Sequence, residues 1–271
     1  MNVHTSRPVG EIIPISRASD ARQVALSVYG QLIDLLETLE AEDWRAPTEC
    51  PDWDVAAMVG HLIGAAKAGA RVRENLRQQW WAKRHADEFG GNTLDAANEL
   101  QVRDHVELTP QERIAALREV APAAVAGRMR LPRGLRRVTV PLDPGGSTAP
   151  GMPARLSLGH LVDVIYTRDV WLHAIDIARA TSRPLPADTD VADRIVEDVV
   201  AEWAGRHDQP FALVLTGPRA VRFHQGEGGG HLHLDAVEFC RVLSGRAQPD
   251  DVEVEAQPAH TTRLLQTRVV F

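Results

Sequence analysis

The sequence has little cysteine and no long apolar run. Only Cys50 and Cys240 occur among 271 residues, in no paired motif, which argues against a secreted disulfide framework and for a reducing cytoplasmic environment. No stretch of about 18 apolar residues is present, the length that a membrane-spanning helix needs. Residues 1–17 lack the continuous apolar core of a signal peptide, so we expect neither export nor a membrane partner.

Lysine is also scarce, because Lys67 and Lys83 are the only lysines among thirty basic residues. The formal net charge of -7 comes from mixed charges rather than a basic patch, so we expect no nucleic-acid partner. Five arginines lie between Arg128 and Arg137. We expect a solvated loop there, with attraction of an acidic substrate or thiol cofactor as the alternative. The sequence leaves the oligomeric state open.

Helical periodicity dominates the first two thirds of the chain. Apolar residues recur every three or four positions from Ala18 to Leu39, which predicts an amphipathic helix. A second, long helix is predicted from Asp52 or Asp54 towards Trp81. A third spans residues 92–128 with a break at Thr109-Pro110, and a fourth runs from Ser157 to Thr181. Residues 129–156 are rich in proline and glycine, which predicts an irregular crossover.

The pattern changes after residue 209, where alternating apolar residues predict strands near 211–215, 221–223 and 232–234. A helix over residues 190–203 precedes them, Asp235 begins another short one, and Arg268 to Phe271 is a candidate edge strand. The fold class predicted is mainly α, a four-helix bundle followed by a small α+β domain. We assign residues 1–17 to a flexible N-terminal segment, 18–183 to the bundle and 184–271 to the second domain.

Asp169 and His173 are the first candidate site residues. They lie four positions apart on the fourth helix, so both side chains rise from one face and can reach one metal ion. Tyr166 lies one turn earlier and faces the substrate in this interpretation, while Asp176 lies one turn later and can orient His173. An acid and a histidine at this spacing also often form an ordinary surface pair.

His61 on the second helix is the candidate third ligand, because bundles build metal sites from facing helices. Its neighbours Gly64 and Ala65 are small and leave room for an ion and a ligand. A hydrogen-bonded core histidine is the alternative. Two imidazoles and one carboxylate are typical of catalytic zinc, whose fourth position stays open for water or substrate.

Cys50 would lie about 16 Å from His61 if the helix extended that far back, so we expect it outside the site.

Two segments carry a resemblance to a known family. Residues 50–66, CPDWDVAAMVGHLIGAA, and residues 166–181, YTRDVWLHAIDIARAT, resemble the signature stretches of the mycothiol-dependent maleylpyruvate isomerase family, a branch of the DinB-like metal-binding bundles. The resemblance implies a metal held by His61, Asp169 and His173, with aspartate where the isomerase itself has glutamate. It also implies a sterol-carrier-like C-terminal domain with Arg246, in the segment Leu243 to Arg246, as a catalytic residue that clamps a substrate carboxylate.

The function that follows is a metal-dependent thiol S-transferase or isomerase. A divalent metal, zinc by default, and mycothiol or a similar low-molecular-weight thiol are the expected cofactors, and a small electrophile is the expected substrate. Two alternatives stay open at this point. One is a non-catalytic small-molecule binding module, and the other is a hydrolase that uses metal-bound water on the same bundle.

Overall fold

The computed structural model describes residues 6–141, 152–185, 189–217 and 220–271. Of these, 16–141 and 154–185 form one compact unit, the bundle unit, and 6–15, 152–153, 189–217 and 220–271 form a second, the sheet unit. None of the described helices combines the length and the apolar character that crossing a membrane requires.

The regular elements take up most of the described chain. The helices are α1 Ala21–Glu37, α2 Val55–Ala70, α3 Val72–His85, α4 Thr93–Arg103, α5 Pro110–Met129, α6 Arg133–Arg136, α7 Leu158–His160, α8 Tyr166–Thr181, α9 Thr189–His207 and α10 Ala236–Ser244. The strands are β1 Arg7–Pro8, β2 Thr139–Pro141, β3 Arg155–Ser157, β4 Phe211–Thr216, β5 Val221–Gln225, β6 Gly230–Asp235 and β7 Glu255–Gln257.

Four helices form the bundle: α1, α2, α5 and α8 pack on one another, while α3 and α4 pack together beside α2. The apolar stripe of α1 is buried as its periodicity predicts, with Val24, Val28, Leu32 and Leu35 almost inaccessible to solvent. The mainly α class with a four-helix bundle is therefore confirmed.

Side-chain caps fix where two bundle helices begin. Asp54 accepts a hydrogen bond from the backbone N–H of Ala57, at 2.8 Å, and starts α2. Thr109 and Glu112 form a reciprocal capping box at the start of α5, where Pro110 occupies the first turn. Both starts agree with the sequence prediction because a cap is a local interaction.

The prediction of a single long second helix is wrong. Arg71 has an extended backbone, with φ −136° and ψ 118°, and divides the segment into α2 and α3. No proline lies at this point of the sequence, so the break has no local signal. The amide of Gln78 on α3 donates to the carbonyl oxygen of Gly64 on α2, at 3.0 Å, which shows how closely α3 folds back.

The predicted fourth helix contains a wider turn. α7 passes into a π-helical segment, Leu161–Ile165, before the regular α8 begins at Tyr166. The irregular crossover before it is more ordered than predicted at its two ends, since α6, β2 and β3 form there and β2 pairs antiparallel with β3. Residues 142–151 of that crossover lie outside the described part of the chain.

The sheet unit contains a five-stranded sheet with the order β1-β5-β4-β6-β7. β4 pairs antiparallel with β5 and parallel with β6, and β7 pairs antiparallel with β6. Burial alternates along β4, with Phe211, Leu213 and Leu215 inside, as the sequence pattern predicts. Asp235 caps α10 through the N–H groups of Val237 and Glu238.

The two ends of the chain differ from expectation. The segment that we expected to be flexible, residues 1–17, contributes β1, which pairs parallel with β5, and it buries Val9, Ile12 and Ile15. Residues 1–5 of that segment lie outside the described part. The edge strand expected at residues 268–271 does not form, and β7 occupies that edge of the sheet instead.

Candidate metal centre

Helices α2 and α8 bring three predicted site residues together in the bundle unit. His61 lies in the second turn of α2, and Asp169 and His173 lie one turn apart on α8. Nε2 of His61 is 3.7 Å from Oδ2 of Asp169, and Nε2 of His173 is 3.3 Å from Oδ1 of the same carboxylate. Potential donor atoms of all three residues lie within 4.8 Å of one another.

These distances fit the spacing of ligands around one small cation. Ligands of tetrahedral zinc lie about 2.0–2.1 Å from the ion and therefore about 3.4 Å from one another. The two measured separations bracket that value. Two imidazole nitrogens and one carboxylate oxygen also have the donor chemistry that borderline divalent metals prefer. The donor set therefore suits such an ion.

Asp176 lies behind His173, on the side away from Asp169. Its Oδ2 is 3.0 Å from Nδ1 of His173, and its side chain is fully buried. An acceptor at Nδ1 fixes the proton on that nitrogen and leaves Nε2 free to bind a metal. This is the orienting contact that the sequence spacing predicts.

The two ionisable groups on α8 strongly influence each other. Burial opposes a negative charge on Asp169, but His173, with a smaller contribution from His61, lowers the pKa of the carboxyl below its usual range. Burial likewise opposes a positive charge on His173, but Asp169 and Asp176 raise the pKa of its imidazole well above 6.5. The metal-free site therefore keeps a proton on His173 that a metal ion would have to replace.

Cys50 and Trp53 also lie at this site, and the sequence analysis assigned neither to it. The expectation that Cys50 lies far away is wrong, because α2 begins only at Val55 and the segment before it folds back in a turn. In this turn the backbone N–H of Trp53 donates to the carbonyl oxygen of Cys50 at 2.9 Å. Cys50 has a donor atom within 4.8 Å of those of His173 and Asp176. The Trp53 ring lies 4.9 Å from the His61 ring.

The available sequence signal for Cys50 and Trp53 is their place in the segment CPDW, which precedes α2.

Tyr166, the predicted substrate-facing residue, begins α8 and lines a cavity together with Asp169. Arg246 belongs to the sheet unit, where it follows the left-handed Gly245 that ends α10 and is half-buried. Its assignment to substrate binding stays a prediction from the resemblance.

Arg128 differs from the solvated loop expected for the arginines of residues 128–137. It lies inside α5 and is only 4% exposed. Its guanidinium lies over the rings of Tyr29 and Tyr166 and lines the same cavity as Asp169. Sequence reasoning missed its burial because the two rings that cover it lie on other helices, Tyr29 on α1 and Tyr166 on α8.

The fold and this site define a DinB-like helical bundle with a His/Asp/His cluster that can bind a metal. Residues 27–178 match the family model described as the mycothiol maleylpyruvate isomerase N-terminal domain. The chain belongs to that family.

Solved structures show the same overall architecture. A crystal structure of a mycothiol-dependent maleylpyruvate isomerase matches with a TM-score of 0.52 and 15% identity, over 92% of this chain and 95% of that chain. The structure of a mutant of a mycothiol-dependent maleylpyruvate isomerase matches with the same TM-score and coverage at 14% identity. Among curated proteins, none matches this sequence.

Proposed function

We propose that this protein is a metal-dependent thiol S-transferase or isomerase. His61, Asp169 and His173 hold one divalent ion, Zn²⁺ by preference, and mycothiol or a similar small thiol is the second cofactor. The observation that carries the proposal is the spacing of their donor atoms, 3.3 and 3.7 Å from the shared carboxylate, in a cluster built by two bundle helices. The family assignment and the mycothiol dependence of the isomerase whose structure matches support the choice of thiol.

The metal, when bound, supplies a Lewis acid that lowers the pKa of a coordinated thiol and so provides a nucleophile at neutral pH. The protein's residues prepare that chemistry. Asp176 holds the His173 ring in one orientation, and the Trp53 ring lies beside both imidazoles. His61, Asp169 and His173 would hold the ion, and a thiol would supply the ligand that the protein does not.

The thiol sulfur then adds to one carbon of a polarised carbon–carbon double bond in a small substrate: the thiol proton leaves to solvent, the π bond breaks, and its electron pair moves onto the activating group of the substrate. In an isomerase, rotation about the resulting single bond and elimination of the thiolate re-form the double bond, and the thiolate takes a proton back from solvent. In a transferase, the substrate takes up that proton instead, the sulfur–carbon bond persists and the adduct is released. We place this chemistry in the cytoplasm, where small thiols stay reduced.

Metal content and thiol conjugation in the wild type and in His173→Ala test the proposal. We expect about one metal ion per chain in the wild type, and in the variant a loss of both metal and conjugating activity because one of three protein ligands is gone. His231→Ala, which removes an exposed histidine on β6, is the matched control and should retain both.

An unchanged metal stoichiometry in His173→Ala contradicts the ligand assignment. A protein that binds metal but conjugates no electrophile contradicts the thiol chemistry. Hydrolysis of an ester or amide without added thiol would then assign the open position to water, since the same donor set activates water. Retention of a small molecule without turnover would instead indicate a binding module.

A further inference from the structure

The outward side of α3 carries a ridge of exposed apolar side chains. Val72, Leu76 and Trp80 are 77%, 63% and 60% exposed. They follow one another at a spacing of four residues, so their side chains are neighbours along one side of the helix. An apolar side chain that is exposed singly needs no explanation, but a contiguous apolar patch with a polar rim marks a contact surface.

Basic side chains border this ridge. Arg73, Lys83 and Arg84 are exposed, and none of them forms an ion pair with a described residue. The guanidinium carbon of Arg84 lies 4.7 Å from the centre of the Trp80 ring. At about 100° per residue, the apolar and basic side chains together fall within an arc of about 120° around the helix axis. We call this set the α3 face; its members are Val72, Arg73, Leu76, Trp80, Lys83 and Arg84.

Acidic side chains lie outside the α3 face. Glu74, the one acid of α3, falls beyond the arc and is paired with Arg77 at 2.7 Å. Asp87 and Glu88 follow only after the helix has ended. The opposite side of the helix is already packed, since Gln78 is buried and donates to a carbonyl oxygen of α2. The α3 face is therefore positive in a chain whose formal net charge is -7.

The size and charge of the α3 face restrict what it can bind. With 14 residues, α3 is about 21 Å long and its outward side is roughly 10 Å wide. A stable protein interface buries about 800 Å² on each partner, which is several times this area. A second copy that met the α3 face with its own would also bring unpaired positive charges together. A bilayer surface has neither restriction, because anionic headgroups supply the opposite charge and apolar side chains enter the layer below them without a matching pocket.

We propose that the α3 face binds the surface of a bilayer that contains anionic phospholipids. Leu76 and Trp80 enter the boundary between headgroups and acyl chains, the position that a tryptophan ring prefers. Arg73, Lys83 and Arg84 reach the lipid phosphates. The contact is reversible, since a few apolar side chains and charges bind far more weakly than a spanning helix. It needs no long apolar run, the absence of which was one basis for expecting no membrane partner.

Flotation of the full-length chain with lipid vesicles tests this proposal. We expect the chain to float with vesicles of mixed phosphatidylcholine and phosphatidylglycerol, and not with vesicles of phosphatidylcholine alone. Binding should weaken as the salt concentration rises from about 0.1 M to 1 M, because the Debye length falls from about 10 Å to 3 Å. Equal binding to the two kinds of vesicle, or binding to neither, overturns the proposal.

Substitutions on the α3 face should weaken the binding to anionic vesicles. We expect the double variant Leu76→Gln/Trp80→Gln to lose about tenfold or more in affinity, and Arg73→Gln about fivefold. Ile13→Gln and Arg22→Gln are the matched controls and should bind like the wild type, since Ile13 is 69% exposed and Arg22 is exposed on α1. Undiminished binding by the variants of the α3 face, or an equal loss in the controls, contradicts the proposal.

Tryptophan fluorescence of the wild type covers the case in which a variant does not fold. Trp80 is the most exposed of the six tryptophans. Lipids brominated in the upper part of their acyl chains should quench part of the emission of the vesicle-bound chain, and Trp80→Phe should lose that quenched part. Bound chain without quenching overturns the proposal. A chain that ignores vesicles but forms a dimer, which Leu76→Gln/Trp80→Gln abolishes, would assign the α3 face to a second copy and overturn it as well.

Discussion

At the scale of single residues, the two histidines of the cluster are supported differently. Nδ1 of His173 faces Asp176 at 3.0 Å, whereas Nδ1 of His61 is buried without a hydrogen-bond partner among the described residues. A metal-binding histidine ordinarily has its second nitrogen fixed by an acceptor. The His61 ring is instead positioned by packing, since the Trp53 ring lies against it at 4.9 Å.

The Asp176 contact gives a prediction about metal affinity. Asp176→Asn keeps the shape of the side chain but removes its charge, so the hydrogen bond that orients the His173 ring becomes a weaker one to a neutral amide oxygen. We expect the metal affinity to fall about 10- to 100-fold, while one ion still binds at saturating concentration. Competition with a chromogenic chelator measures the affinity. Full loss of binding capacity, as expected for His173→Ala, would show that Asp176 does more than orient the ring.

The proton on His173 gives a prediction about pH. Because Asp169 and Asp176 raise the pKa of this imidazole well above 6.5 in the metal-free protein, a metal must displace a proton at neutral pH. Affinity should therefore rise with pH, by about tenfold per unit, as long as the pH stays below the raised pKa, and should level off above it. Chelator competition across a series of pH values, together with the proton release measured on metal binding, tests it. A flat profile would show that His173 is already neutral.

At the scale of elements, small residues on α2 have two different uses. A Cβ on Gly64 would lie 2.5 Å from the Cβ of Gln101 on α4, so this glycine permits close helix packing rather than leaving space for a ligand. Ala65 does line the cavity beside Arg128. The sequence interpretation of room beside His61 therefore holds for only part of that helix face.

The closest approach between α2 and α5 gives a stability prediction. A Cβ on Gly127 would lie 2.3 Å from the carbonyl oxygen of Gly69, a backbone atom that cannot move aside alone. We expect Gly127→Ala to lower the free energy of unfolding by about 1–3 kcal/mol through overpacking. Gly30→Ala on α1 is the matched control, because nothing lies within 4 Å of its Cβ. It should be neutral or stabilising by about 0.5–1 kcal/mol in urea unfolding, and equal effects would contradict this account.

At the scale of the whole molecule, the two ends of the chain meet in one unit. The N-terminal segment is held on α9 by three contacts: Arg7 with Glu197 at 2.7 Å, the Ile15 N–H with Asp198 at 2.6 Å, and Arg194 with the Ile13 carbonyl oxygen at 2.7 Å. Together with β1, these contacts make residues 6–15 part of the sheet unit rather than a lead into the bundle.

Adjacent isoleucines in that segment test its contribution. Ile12 is 6% exposed and Ile13 is 69% exposed. We expect Ile12→Ala to cost about 2–5 kcal/mol, because it leaves a cavity in a packed region. Ile13→Ala should change stability by less than about 0.5 kcal/mol. Urea unfolding measures both, and amide hydrogen exchange of β5 should report the Ile12 effect. A similar loss in both variants would contradict the docking of this segment.

Features that depend on neighbours along the chain could be predicted from the amino-acid sequence. Periodicity located the buried face of α1, caps located the starts of α2 and α5, and four-residue spacing put Asp169 and His173 on one face of α8. A helix fixes the geometry between positions one turn apart, so a pattern of spacing is sufficient evidence for such a pair. The third member of the cluster, His61, could be predicted because bundles build metal sites from facing helices.

Contacts between groups that are distant in the sequence became visible only in the folded protein. No local pattern predicts four of the observed features. They are the position of Cys50 beside His173, the burial of Arg128 between two tyrosines, the break at Arg71 and the pairing of β1 with β5. The physical reason is that distances between separate elements are set by how buried surfaces pack against each other, and that packing depends on the whole set of side chains at once.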